Sequence, residues 1–178
     1  MAPPSCRLTA PVVPTGTVTS ATRPVASSGT VSVGSSPPAG QARSVAGKDY
    51  VVLMADMFGE GYGAKEKTVD DLMKSSRGVR GNVPFINSCG AKALDVLGAE
   101  ADKAGLVDLG KKVAVGYCIG GGYALEQARA GADFKAVVVF HVTAPNPVQP
   151  GAKPNIKGRV LAIHGSADPV TPKPQMDA

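Results

Sequence analysis

The stretch VAVGYCIGGGYALEQARAGA, residues 113–132, decides the fold because its periodicity changes at the centre. The apolar run before Gly116 is typical of a buried strand, whereas the Ala- and Leu-containing run after Gly122 has helical spacing. Glycines mark the change, since a strand that turns sharply into a helix leaves little room for side chains. The pattern predicts a strand-turn-helix corner with Cys118 at its tip.

Short apolar runs on both sides of this corner alternate with segments of helical spacing. Strands that alternate with helices imply right-handed crossovers and a parallel sheet covered on both faces. The predicted fold class is therefore α/β, a three-layer and mostly parallel sheet. The expected strands are YVVLMAD (50–56), KVAVG (112–116), AVVVFH (136–141) and RVLAIHG (159–165), and the expected helices span 87–103 and 120–130, with a further start at Pro174.

Length and charge limit the number of domains and the classes of partner. The chain has 178 residues, enough for one domain with a core, and a formal charge of +5. Residues 1–48 hold four bases and no acid, whereas residues 49–178 hold 15 bases against 14 acids. A nearly neutral domain over residues 49–178 gives no reason to expect nucleic acid as a partner, and no apolar run is long enough to span a membrane.

The first 48 residues are rich in Pro, Ser, Thr and Val and lack sustained periodicity. This composition predicts a low-complexity, disordered tail with no part in the core. An acid-free segment with Arg and Ser also fits an organelle transit peptide, although the unpacked tail is the preferred interpretation. The protein is expected to be soluble, intracellular and cytoplasmic unless the tail targets it to an organelle.

The cysteines point to a reducing compartment. Cys6, Cys89 and Cys118 are odd in number and have no CxxC spacing, so the sequence suggests neither a disulfide framework nor a metal site. Cys89 falls on the apolar face of the helix expected at 87–103, where a small core residue is the simplest interpretation. Only Cys118 occupies a position that suggests chemistry.

Cys118 fits the pattern G-x-nucleophile-x-G of a nucleophile elbow, with Gly116 before it and Gly120 after it. The positive end of the helix dipole favours a thiolate at this position, which makes the sulfur more reactive at neutral pH. The backbone N–H of Ile119 is then placed to donate to a developing oxyanion. These features predict a nucleophile at the carboxyl edge of the sheet, where α/β proteins gather reactive groups.

Two other interpretations of the corner stay open. Gly116, Gly120 and Gly122 also have a GxxxGxG spacing that could bring a helix terminus against a nucleotide phosphate, with Asp133 as the ribose acid of an oxidoreductase. Such motifs usually open a domain, and no Tyr-x-x-x-Lys pair is present. Alternatively, Cys118 could be purely structural.

A second candidate residue lies in HGSADPVTP, directly after the last expected strand. Asp168 could orient and charge-stabilise a catalytic imidazole, although Asp-Pro also commonly opens a turn. Together with the elbow it supplies two members of the order nucleophile, acid, histidine that α/β-hydrolases follow.

At this point the sequence resembles the dienelactone hydrolase family of α/β-hydrolases, on the residues GYCIGGGYALE, VVVFH, RVLAIHGSADPVTP and YVVLMADMFGEG. The resemblance covers residues 49–178. It implies that Cys118 is the nucleophile and Asp168 the triad acid. It further implies hydrolysis of a small-molecule carboxylic ester or lactone through a thioester, with no metal or organic cofactor.

The sequence departs from the family pattern in three ways. No histidine follows Asp168, and His141 and His164 are expected to be structural residues at strand ends. The family usually has a glycine after the first of these histidines, and this chain has Val142 at that position. The resemblance also requires a strand before Tyr50 that lies between the Tyr50 and Val113 strands, and residues 1–48 offer only fragments such as 29–33.

These departures predict a chain truncated at both ends, a sheet with a gap or a direct closure at the missing strand, and at best a very slow hydrolase. The alternative function is a non-catalytic binding protein that keeps the fold without the triad. Arg77 and Arg80 could meet an anionic substrate, but a solvated loop is the expected setting.

Overall fold

The computed structural model describes residues 27–33, 50–55, 57–58, 68–104, 107–143, 146–148 and 151–176. The predicted tail therefore lies outside the described residues except for 27–33, of which the backbone is described. The elements in chain order are β1 (Ser27–Val33), β2 (Tyr50–Ala55), α1 (Val69–Arg80), α2 (Val83–Ala104), β3 (Val107–Tyr117), α3 (Ile119–Arg129), β4 (Ala136–Phe140), β5 (Arg159–Ile163) and α4 (Lys173–Met176).

Five parallel strands form one sheet in the order β2-β1-β3-β4-β5. Every strand predicted from apolar periodicity is present, and β3 is longer than its predicted core of 112–116. Because all strands are parallel, their carboxyl ends lie along one edge of the sheet. The α/β class predicted from the sequence is confirmed.

The central position of β1 corrects the prediction that residues 1–48 contribute nothing to the core. Its residues 28–33 pair with β2, and Thr30, Val31 and Ser32 pair with Val113, Ala114 and Val115 of β3. The strand expected to be missing is thus the fragment 29–33, and the sheet has neither a gap nor a direct contact between β2 and β3. Alternating Val and Ser residues suit a strand, but a short run inside a Pro- and Ser-rich segment carries little local signal.

The core lies between the sheet and the helices packed on it. One cluster joins β2 to the buried face of α2, and a second joins β3, β4 and α3. Cys89 is fully buried in the first cluster, as its helical spacing predicted. The buried side chains of α2 that form this face are Ile86, Cys89, Ala93, Leu97 and Ala101, which recur at the helical period.

Helix α1 replaces the polar connection expected after β2. Thr68 is its N-cap, with the hydroxyl oxygen accepting from the Asp71 backbone N–H at 3.1 Å and the Asp71 carboxylate accepting from the Thr68 N–H at 3.3 Å. Arg77 and Arg80 occupy the last turn, where they complement the helix dipole. The expectation that these arginines lie in a solvated loop is therefore wrong, and the missed signal was the capping box.

The inner strand β4 and the edge strand β5 differ in how far they are buried. Strand β4 alternates between half-buried and buried residues, whereas all five residues of the edge strand β5 are exposed. Within the described part of the chain, the prediction of a sheet covered on both faces therefore does not hold at β5. None of the helices in that part is long and apolar enough to cross a bilayer.

Candidate functional site

Cys118 lies at the tip of the corner between β3 and α3. Its φ of 53° and ψ of −120° lie in a region that non-glycine residues rarely adopt, and its side chain is exposed. Three backbone hydrogen bonds hold this conformation. The Cys118 N–H donates to the Phe140 carbonyl at 2.9 Å, and the Cys118 carbonyl accepts from Gly121 at 3.0 Å and from Thr143 at 3.2 Å.

Two glycines make the corner possible because the strand and the helix touch there. A Cβ at Gly116 would lie 2.4 Å from the Gly120 carbonyl oxygen, which is backbone and cannot move aside cheaply. A Cβ at Gly121 would lie 3.1 Å from Cγ2 of Val142, the residue that stands where the family usually has glycine. Val142 is itself buried, so its side chain fills the space against the start of α3.

Helix α3 begins directly after the residue that carries the thiol. Ile119 is the first residue of the helix, and the N–H groups of a first helical turn have no partner within the helix. The thiol itself lies 3.6 Å from the hydroxyl oxygen of Thr143. The second oxyanion donor expected from the family would come from the loop after β1, which lies outside the described residues.

Asp168 lies beyond the end of β5, in a loop that folds back onto the sheet. Its side chain is only 2% exposed, and Oδ1 accepts from the backbone N–H groups of Val170 at 2.7 Å and Thr171 at 3.0 Å. The Thr171 N–H, then the Val170 N–H and the nearby imidazoles of His141 and His164, hold the pKa of this carboxyl below its usual range against the opposing effect of burial. Asp168 is therefore an ionised acid at neutral pH.

Both histidines of the sequence face the second oxygen of Asp168. Nε2 of His141 lies 2.7 Å from Oδ2, and Nε2 of His164 lies 3.8 Å from the same atom. Sequence reasoning treated both histidines as structural and missed this cluster. The available signal was their position, because each follows one of two neighbouring parallel strands and such strand ends adjoin.

A small pocket opens beside the corner. It has an empty volume of about 220 Å³, which includes space open to solvent, and its lining includes Ile119, Thr143, Tyr123, Arg80 and Glu126. The Tyr123 hydroxyl oxygen is buried and has no hydrogen-bond partner among the described residues. Burial raises the pKa of Tyr123 above its usual range despite the opposing charge of Arg80, so the hydroxyl stays protonated and can donate.

The geometry argues against the nucleotide-binding alternative. Asp133, the suggested ribose acid, precedes β4 and so lies at the amino edge of the sheet, opposite the corner. It lies 3.8 Å from both Lys112 and Lys135 and is half exposed. Among the residues that the structure describes, no group of three His, Cys, Asp or Glu side chains is arranged to hold a metal ion.

Comparisons with known proteins agree on one family. The sequence pattern of the dienelactone hydrolase family matches residues 39–178. Among solved structures, a protein named m3DLH is 33% identical with a TM-score of 0.74, and a dienelactone hydrolase-like promiscuous phosphotriesterase from metagenomic libraries is 30% identical with the same TM-score. The esterase PE8, at 18% identity and a TM-score of 0.54, shares the fold.

Coverage differs between the chain and these structures. The first two matches cover 86% and 88% of this chain but 63% and 64% of the other chains, so the chain spans less than two thirds of their length. For the esterase the shares are 86% and 75%. No curated protein sequence matches at a significant level.

Proposed function

Because the chain belongs to the dienelactone hydrolase family, we propose that it hydrolyses a carboxylic ester or lactone through Cys118. In this proposal Cys118 is the nucleophile, Asp168 is the acid that orients the base, and the Ile119 N–H stabilises the oxyanion. No metal or organic cofactor takes part. The proposed substrate is a small molecule.

The observation that carries the proposal is the conformation of Cys118. An exposed thiol at a positive φ, on the first turn of a helix and at the carboxyl edge of a parallel sheet, is costly for a side chain with no function. Asp168, an ionised acid, belongs to the loop that follows another strand of the same sheet. A structural cysteine would require neither feature.

The proposed reaction has two halves. The Cys118 thiolate attacks the carbonyl carbon, and the resulting oxyanion accepts from the Ile119 N–H. When this intermediate collapses, the ester C–O bond breaks and the alcohol leaves with the proton taken from the thiol. Water then attacks the thioester, the C–S bond breaks, the carboxylic acid is released and the thiol is restored.

A chromogenic ester tests the proposal. Purified protein is incubated with p-nitrophenyl acetate and with a small lactone, and an activated phosphotriester is included because one relative is described as a phosphotriesterase. Cys118→Ala should reduce ester turnover to the uncatalysed rate, and Cys118→Ser should leave at most a trace. Turnover that survives Cys118→Ala would contradict the proposal, and an inert thiol in a folded chain would favour the non-catalytic binding protein.

A further inference from the structure

We propose that Thr143 is a positioning residue for Cys118, and that its hydroxyl donates a hydrogen bond to the sulfur when the thiol is ionised. This inference rests on the proposed function, since the orientation of the sulfur matters only if Cys118 attacks a substrate. The observation that carries it is a contact between two side chains that are 25 residues apart in the sequence. The Thr143 hydroxyl oxygen lies 3.6 Å from the Cys118 sulfur, which is within the range of a hydrogen bond to sulfur.

The backbone holds Thr143 against the corner. Its N–H donates to the Cys118 carbonyl at 3.2 Å, and Phe140, three residues earlier, accepts from the Cys118 N–H at 2.9 Å. Gly121, in the first turn of α3, donates to the same Cys118 carbonyl at 3.0 Å. Thr143 is therefore bound to Cys118 through its backbone as well as through its side chain, and these bonds keep the hydroxyl close to the sulfur.

The side chain of Thr143 suits this task. A β-branched side chain has few favourable χ1 rotamers, so its hydroxyl loses little freedom when it is bound. Thr143 is half-buried, whereas Cys118 is exposed. Within the described part of the chain, the sulfur is the hydrogen-bond partner of the Thr143 hydroxyl. A substitution that removes this hydroxyl therefore tests one contact.

The direction of the hydrogen bond follows from the protonation state of the sulfur. A thiol can donate or accept, but a thiolate can only accept, so the Thr143 hydroxyl must then donate. A hydrogen bond to the charged form of a group favours that form. Helix α3 begins at Ile119, directly after Cys118, and the positive end of its dipole favours the same charged form. The hydroxyl adds a fixed direction to this field, so the thiolate is oriented before it attacks.

The test compares the native chain with Thr143→Val and Thr143→Ser. Valine keeps the β-branched shape and removes the hydroxyl, whereas serine keeps the hydroxyl and removes the methyl group. The alkylation rate of Cys118 by iodoacetamide is measured in each folded chain at pH 7 and at pH 10, with peptide-resolved mass spectrometry. Because a thiol is almost fully ionised at pH 10, the rate at pH 7 divided by the rate at pH 10 reports the ionised fraction at pH 7. Differences in access and in the nucleophilicity of the thiolate cancel in this alkylation quotient.

The alkylation quotient of the native chain should be about five- to tenfold higher than that of Thr143→Val, because the valine variant lacks a hydrogen bond to a charged sulfur. Thr143→Ser should stay within about twofold of the native quotient, since it keeps the donor. Thr143→Ala also lacks the hydroxyl and adds no bulk, so it should give the same low quotient and serves as the variant if Thr143→Val does not fold.

The charged and titratable groups around Thr143 are the same in all of these chains. Arg80 and Glu126 line the pocket together with Thr143. His141 lies two residues before Thr143 and contacts Asp168 at 2.7 Å. Their charges affect every alkylation quotient alike, so a difference between the serine and valine variants comes from the hydroxyl.

The outcomes separate the two proposals. An equal or higher alkylation quotient in Thr143→Val overturns the role of Thr143, and ester turnover that requires Cys118 would then leave the proposed hydrolysis standing. An equal fall in Thr143→Ser and Thr143→Val also overturns the role, because a loss that serine does not rescue comes from the shape of the side chain. A quotient that depends on the hydroxyl in a chain without ester turnover supports the role of Thr143 at the sulfur and overturns the proposed hydrolysis.

Discussion

The corner after β3 and the loop after β5 carry the two residues assigned to the reaction, but they are built in opposite ways. Cys118 is fixed by close backbone packing, where a single added carbon at Gly116 would meet the Gly120 carbonyl oxygen at 2.4 Å. Asp168 follows a strand that is exposed at all five residues and is held by hydrogen bonds from its own loop. The proposed nucleophile is positioned by the core, whereas the proposed acid is positioned by local hydrogen bonds at the sheet edge.

Because of this difference, we expect the two halves of the site to respond to different substitutions. Substitutions that disturb packing should damage the corner and leave the loop intact. Substitutions that remove a charge should disable the loop without unfolding the protein.

The largest effect is expected from Gly116→Ala, which places a methyl group against the backbone carbonyl of Gly120. We expect a loss of about 3 kcal/mol in the free energy of unfolding, because overpacking against backbone cannot be relieved by a rotamer change. Gly122→Ala is the matched control, since its nearest atom beyond the helix would be the Thr143 carbonyl oxygen at 3.7 Å. In chemical denaturation, the free energy of unfolding of the control should be unchanged or higher by up to about 1 kcal/mol. Equal losses of unfolding free energy in both variants would contradict the close backbone packing at Gly116.

The next effect is expected from Asp168→Asn. The amide keeps the shape of the side chain but cannot stabilise an imidazolium, so ester turnover should fall about 100-fold. The unfolding midpoint should change much less than it does for Gly116→Ala. Steady-state kinetics and thermal unfolding of the same preparation check both statements, and a variant with native turnover would show that the loop is not part of the site.

A pair of valines measures the difference between centre and edge directly. Val137 of β4 is 1% exposed, and its partner across the strands, Val160 of β5, is 43% exposed. Val137→Ala should cost about 2 kcal/mol of unfolding free energy, because it leaves a cavity. Val160→Ala should cost about 0.5 kcal/mol or less. Similar costs would contradict the difference in burial between the centre and the edge of the sheet.

The smallest effect is a pH dependence of stability that comes from Asp168. Its pKa is lower in the folded protein than in the unfolded chain, so the carboxylate stabilises the fold above the unfolded value of about 3.9. That contribution should fade as the pH falls through this value and then through the folded pKa. Unfolding free energies of the native chain and Asp168→Asn, measured from pH 7 to pH 3, should therefore converge at the acidic end.

Local pattern was enough to predict the corner and most strands. GYCIGG has glycines where backbone contact requires them, and β2, β4 and β5 are short apolar runs with clear boundaries. Cys118 and Asp168 could be chosen because both follow strands in a parallel sheet. These features depend on residues that are close in the sequence, so a single sequence is enough to predict them.

Pairing between distant segments could not be predicted in the same way. The run 27–33 is a central strand because β2 and β3 lie on either side of it, and its short alternation of Val and Ser is too weak a signal to predict that position. The contact of His141 with Asp168 likewise depends on the adjacency of β4 and β5. Helix α1 is different, because its capping box was present in the sequence and was overlooked.

The mass of the protein after brief exposure to an activated ester tests directly whether Cys118 is the nucleophile. A denaturing quench within seconds, followed by peptide mapping, should show one acyl group on Cys118 and none on Cys118→Ala. An activated ester acylates a reactive thiol quickly, so the adduct should accumulate before water removes it. Hydrolysis without any adduct on Cys118, or acylation of another residue at the same rate, would show that Cys118 is not the nucleophile.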